Sequence, residues 1–103
     1  MRFLVKVSIP VEAGNEAARK GIIGEKIGKI LSDLKAEAAY FVAEDGKRTG
    51  FIIVNMDHAH QIPSIAEPWF LAFNAAIEIH PVMTQEDLQK AGPDIGKAVK
   101  TYG

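Results

Sequence analysis

Cysteine is absent from the 103-residue chain, which removes disulfides, thiolate nucleophiles and cysteine-held metal clusters together. That absence suits a reducing cytoplasm, the location expected here. An excess of charge of either sign is also missing: 12 Lys and Arg stand against 13 Asp and Glu, for a formal net charge of −1. With no basic block or stripe there is no electrostatic footprint for nucleic acid or an anionic membrane, and neither is expected as a partner. Long apolar runs are missing too. The uncharged stretch from Pro68 to Ile77 falls far short of the ~18 residues that a membrane span needs. Arg2 to Ile9, with Lys6 inside it, alternates like a strand rather than reading as a targeting segment. No glycine-rich phosphate loop, nucleophile elbow or serine triad pattern occurs, which disfavours nucleotide and hydrolase chemistry; no cofactor is expected.

What the chain does have is hydrophobic residues, 48% of the total, enough for one core in a single domain spanning 1–103, though a small one that gains from a partner subunit. Phe3, Val5, Val7 and Ile9 share one face of a first strand that ends at Pro10, with Leu4, Lys6 and Ser8 on the other. Gly14-Asn15 offers an N-cap for a first helix, whose apolar stripe is Ile23, Ile27, Ile30, Leu31 and Leu34. Gly21, Gly24 and Gly28 lie beside that stripe. Glycine costs a helix about 1 kcal/mol against alanine, so a close backbone approach is one reason for them and a frayed first turn the other.

Ala36 to Glu44 and the run from Gly50 to Met56 read as two strands joined through the Asp45-Gly46 turn signal, hence a hairpin. In the second of them Ile52, Val54 and Met56 take one face, and Phe51, Ile53, Asn55 and Asp57 the other. Ser64-Ile-Ala-Glu67 fits a capping box for a second helix, with a start at Pro68 as the competing register. Ile62, Ile65, Trp69 and Phe73 fall on one side of it, while Phe70 and Leu71 add apolar bulk elsewhere, more than one sheet face should cover, and the excess is expected to be interface. Asn74 is suited to a left-handed stop. Ala76 to His80 alternates as a fourth strand up to Pro81, Thr84 to Asp87 caps a short third helix closing at Gly92, and Ile95, Val99 and Tyr102 suggest a last helical turn or two.

The order β-α-β-β-α-β plus a helical tail specifies an α+β, ferredoxin-like domain: a four-stranded antiparallel sheet with both main helices on one face. The other face needs cover. Over essentially its whole length the chain resembles the dimeric α+β barrel superfamily, whose members pack two such sheets together. The run Ala66-Glu-Pro-Trp-Phe-Leu-Ala-Phe-Asn-Ala-Ala-Ile-Glu-Ile-His-Pro-Val-Met-Thr-Gln-Glu-Asp-Leu88 is similar to a functionally uncharacterised branch of short bacterial proteins. The resemblance implies a homodimer joined through its sheets and a small cyclic or aromatic ligand. Muconolactone isomerases, cofactor-independent quinol-type monooxygenases, haem-binding enzymes and ligand-sensing modules belong to the same superfamily, so the expected function is small-molecule binding or cofactor-independent isomerase or monooxygenase chemistry. A purely structural or protein-interaction dimer is the alternative. None of those enzymes' catalytic residues can be matched to positions here.

Two groups of residues are the candidate sites. With strands ordered four, one, three, two, Lys6, Asn55, Glu78 and His80 lie on the face away from the helices, with Asp57 at the rim. A histidine near its ordinary pKa of ~6.5 moves protons, a lysine holds a carboxylate or enolate, and an amide orients a carbonyl. The same residues also suit a hydrogen-bonded network inside a dimer, since buried polar groups must pair whether or not a ligand exists. The second group is Tyr40, Trp69 and Phe73, with Phe70, as the lining of an apolar pocket between helix and sheet. His58 and His60, with Asp57 and His80 as further ligands, invite a metal reading, but His-x-His turns both rings the same way only on a strand. A solvated loop is expected there, and no metal.

Overall fold

The computed structural model describes all residues, 1–103. Strand β1 (Arg2–Ile9) is followed by helices α1 (Val11–Arg19) and α2 (Ile23–Asp33), the hairpin β2 (Ala38–Glu44) and β3 (Lys47–Asn55), helix α3 (Ile62–Phe73), strand β4 (Ala76–Pro81) and helices α4 (Gln85–Lys90) and α5 (Gly92–Tyr102). All strand pairs are antiparallel and the spatial order is β2-β3-β1-β4, the ferredoxin-like arrangement expected from the sequence. Asp45 and Gly46 both take positive φ (52° and 72°), the two-residue turn whose twist matches that of the strands it joins.

Alternation sets the two faces of the sheet. Val5, Val7 and Ile9 of β1 and Ile52 and Val54 of β3 are buried under the helices, where Ile30, Ile65, Trp69 and Phe73 meet them. Trp69 and Phe73 are the largest side chains in this core, each 1% exposed, with ring centroids 6.3 Å apart.

Several local expectations need correcting. The first helical stretch is two helices. α1 starts after Pro10, so Gly14-Asn15 lies inside it rather than capping it, and Gly21 at φ 71° makes the break before α2. Gly24 and Gly28 serve no close approach, since an added Cβ at either meets nothing within 4 Å. α3 begins at Ile62, ahead of both expected starts. A 3-10 turn over Ala59–Gln61 leads into it, the Ser64 hydroxyl donates back to the Gln61 carbonyl (2.7 Å), and Pro68 sits inside the helix. The tail is longer than a turn or two: α5 runs for 11 residues. Asn74 does stop α3 in the left-handed region, and Thr84 with Asp87 caps α4.

The chain does not close on itself. Every residue of α4 and α5 is exposed, and the molecule measures 58 × 27 × 20 Å with a radius of gyration of 17.1 Å, against about 13 Å for a compact domain of this length.

Candidate functional site

A cavity of about 370 Å³ opens between α2 and the sheet, within the size range of small-molecule sites. The sheet contributes Val7, Ile9 and Gly50, α2 contributes Ile23, Gly24 and Ile27, and Phe41 and Trp69 come from β2 and α3. Gly50 belongs there for a steric reason: a Cβ on it would stand 3.1 Å from Phe41 Cε1, so its bare backbone lets the Phe41 ring lie across the sheet. Arg48, on the same face through its register with Ile9 and Ala43, is the one charged residue in the lining. Its Nη1 donates to Asn15 Oδ1 at 3.0 Å and no carboxylate pairs with it.

Of the residues expected to line such a pocket, only Trp69 does. Its indole N–H is buried without an acceptor. Phe73 lies deeper, beside a second cavity, with the Lys26 ammonium 5.8 Å from its ring centre. Phe70 is 40% exposed and Tyr40 is 67% exposed. Tyr40 pairs with Phe51 in register and so stands on the opposite face of the sheet. Gly50, Phe41 and Arg48 are pocket residues beyond those expected from the sequence, although an isolated strand glycine and the alternation Ile52, Gly50, Arg48 are both signals.

On the open face, Lys6, Asn55, Glu78 and His80 occupy three adjacent strands as expected, but in different rows. Lys6 faces Glu78, His80 faces Leu4 and Asn55 faces Arg2. At about 3.4 Å per residue, Asn55 is roughly 13 Å along the sheet from the Lys6 row. Only Lys6 and Glu78 meet, at 3.6 Å, and a third group joins them: Glu44 Oε2, 3.0 Å from Lys6 Nζ. The bond to Glu44 is the main cause holding the ammonium above the ordinary lysine value, against the opposing effect of partial burial. A second pair on the sheet joins Arg2 to Glu37 bidentately, at 2.8 and 3.0 Å.

That fork holds the Glu37 carboxyl below its ordinary value of 4.5, chiefly through its hydrogen bonds to Arg2. A lowered carboxylate pKa gives stability that is present above the unfolded value and lost as pH falls through the folded one. Glu37→Gln should therefore lower Tm near neutral pH, with the gap to wild type constant from about pH 6 to 8 and closing below about pH 4.5. Melting curves across that range check this, and a gap that persists in acid refutes it.

His58 and His60 stack with ring centroids 5.3 Å apart, on the loop leaving β3, and Gln61 Oε1 accepts from the amides of Asp57 and His58 (both 2.8 Å). No third acidic or imidazole ligand gathers with the two rings.

These features define an α+β domain of ferredoxin-like architecture with a helix-to-sheet pocket. The chain belongs to the DUF3303 family, a domain of unknown function, whose profile matches residues 1–95. No curated protein matches it in sequence. Among solved structures it is similar to a formyltetrahydrofolate deformylase from Pseudomonas putida KT2440 (TM-score 0.50, 13% identity, 80% of this chain). The chain spans 29% of that protein's length, and the likeness is one of fold alone. The de novo designed protein Ferredog-Diesel is also similar (TM-score 0.47, 9% identity, 79% of this chain and 85% of that one). No helix is long and apolar enough to cross a membrane.

Proposed function

We propose that the protein binds a small cyclic or aromatic compound in the cavity between α2 and the sheet, and does so as a homodimer. The observation that carries the binding reading is the cavity itself: about 370 Å³ walled by Ile27, Phe41 and Trp69, apolar, with a single charge at its edge. Such a site gains affinity from burying an apolar ring and takes its selectivity from few polar groups.

The dimer rests on a different observation. A closed monomer of this mass exposes about 5,700 Å², whereas this protomer exposes 7120 Å². The excess of about 1,400 Å² per protomer is the scale of an obligate interface. It lies on two surfaces: the open sheet face, with Tyr40, Val42 and Phe51, and the α4–α5 arm, with Leu88, Ile95, Val99 and Tyr102. Isolated helices this short are marginal in water, and a glycine inside α5 weakens it further, so the arm needs a surface to lie on. A second copy supplies one, as in the dimeric α+β barrel proteins that the chain resembles. In that dimer Lys6, Glu44 and Glu78 act as a paired polar network. Lys6, already balanced by two carboxylates, is poorly placed to hold an anionic substrate, which favours the network over a catalytic role for Lys6, Asn55, Glu78 and His80.

Native mass spectrometry of the purified protein and a titration with p-nitrotoluene test both parts. The nitro group quenches a tryptophan it touches, and Trp69 is the only one. Saturable quenching with a rise in Tm, on a protein of dimer mass, is the expected result. A monomer refutes the assembly, and unsaturable quenching without a Tm shift refutes the pocket. Turnover of a bound lactone or quinol would make the protein an isomerase or monooxygenase rather than a binding module.

A further inference from the structure

Given the binding reading above, on which this inference rests, we infer that the ligand carries an anionic group, a carboxylate or its equivalent, held by Arg48 while its apolar ring fills the cavity. The lining has one charge, and it is positive. Arg48 is an exposed cation without an anionic partner; Arg19, Lys26 and Lys47 also lack one, and of these four Arg48 is the one that lines the cavity. Arg2 is taken by Glu37, Lys6 by Glu44 and Glu78, Lys20 by Glu16 and Lys29 by Asp33, whereas Arg48 meets only the neutral Asn15 side chain.

The guanidinium is set in place rather than free. Its Nη1 bonds to Asn15, and the side chain lies over Gly14, where an added Cβ would stand 2.8 Å from Nη1 and 3.2 Å from Cδ. A bare glycine on α1 thus gives Arg48 its resting surface. One bond to Asn15 uses one donor of a five-donor fork, which leaves the remaining donors for a carboxylate. The start of α2 adds to this: Ile23 and Gly24, the first two residues of the helix, line the same cavity, and no side chain caps that end. Uncapped amides favour an anion there, in support of Arg48, while Glu25 in the same turn offsets part of the helix dipole.

An anion meeting a guanidinium beside an apolar wall gains a charge-assisted bond, whereas a neutral analogue of the same shape gains only burial. The experiment compares p-nitrobenzoate with p-nitrotoluene, which differ by a carboxylate in place of a methyl group and both quench Trp69 on contact. Wild-type protein should bind the benzoate about tenfold more tightly or better. In Arg48→Met that preference should vanish while p-nitrotoluene binding stays within about threefold. Arg48→Lys should keep part of the preference, because the charge remains and the fork does not. Retained p-nitrotoluene binding in Arg48→Met shows that the loss is not a folding defect, and Asn15→Ala, which removes the bond that holds the guanidinium in place and leaves the charge, should reduce the preference without abolishing it. Equal, saturable binding of both compounds to wild type would overturn the anion assignment and leave the pocket standing. Saturable binding of neither would overturn the pocket and this assignment with it.

Discussion

Trp69→Ala should cost about 3–5 kcal/mol of folding stability, and Trp69→Phe no more than about 1.5 kcal/mol. Trp69 is 1% exposed and packs between α3 and the sheet against Phe73, so truncation to alanine loses the burial of a large ring and leaves a void beside an existing cavity. Against a total stability of about 5–15 kcal/mol for a small domain, such a loss removes a large part of the fold's margin. Phenylalanine behaves differently because the indole N–H has no acceptor. There is no hydrogen bond to lose, and relieving an unpaired buried donor offsets part of the lost volume. Denaturant unfolding of the three proteins measures both quantities. A loss under about 1.5 kcal/mol for the alanine variant would mean that the ring does not fill the core. Equal losses for both variants would mean that the indole N–H has a partner in solution.

Tyr40→Asp should weaken the proposed dimer by about 30-fold or more and leave the protomer folded. Tyr40 is 67% exposed in the isolated protomer, so within one chain the change costs about 1 kcal/mol, the scale of strand propensity and of the cross-strand pair with Phe51. On the sheet face it stands beside Phe51 on the edge strand β2, within the surface proposed to meet the second copy. Burying a lone carboxylate there in place of a ring costs about 2 kcal/mol or more, the scale of an interface hot spot. Ile95→Asp, on the exposed arm, separates the contribution of α5 from that of the sheet. Sedimentation at several concentrations reads both. If Tyr40→Asp remains as dimeric as wild type while Ile95→Asp dissociates, the copies meet through their arms and not through the sheets.

Strands β1 and β4 were legible because they alternate cleanly. Val5, Val7 and Ile9 against Leu4, Lys6 and Ser8 fixed both the faces and, once the order β2-β3-β1-β4 was chosen, which residues share the open one. The hairpin followed from Asp45-Gly46, the stop of α3 from Asn74 and the start of α4 from Thr84, where short-range chemistry suffices. Helix starts at α1 and α3 were not legible. Pro10 and the 3-10 turn before Ile62 compete with better-looking caps nearby, and packing against the sheet decides between them.

The ferredoxin-like element order, the apolar helix side that carries Trp69 and the two-faced sheet could all be read along the chain, since each depends on periodicity and side-chain type within one stretch. Which polar residues meet, and where the pocket lies, follow from the packing of the whole chain. Lys6 reaches Glu44 and Glu78 while Asn55 does not, because register displaces residues along a strand without changing their face. Likewise Arg48, Gly50 and Phe41 join Trp69 around one cavity because the approach of α2 and α3 to β2 and β3 is set by the packing of side chains far apart in the chain, a distance that no local pattern encodes.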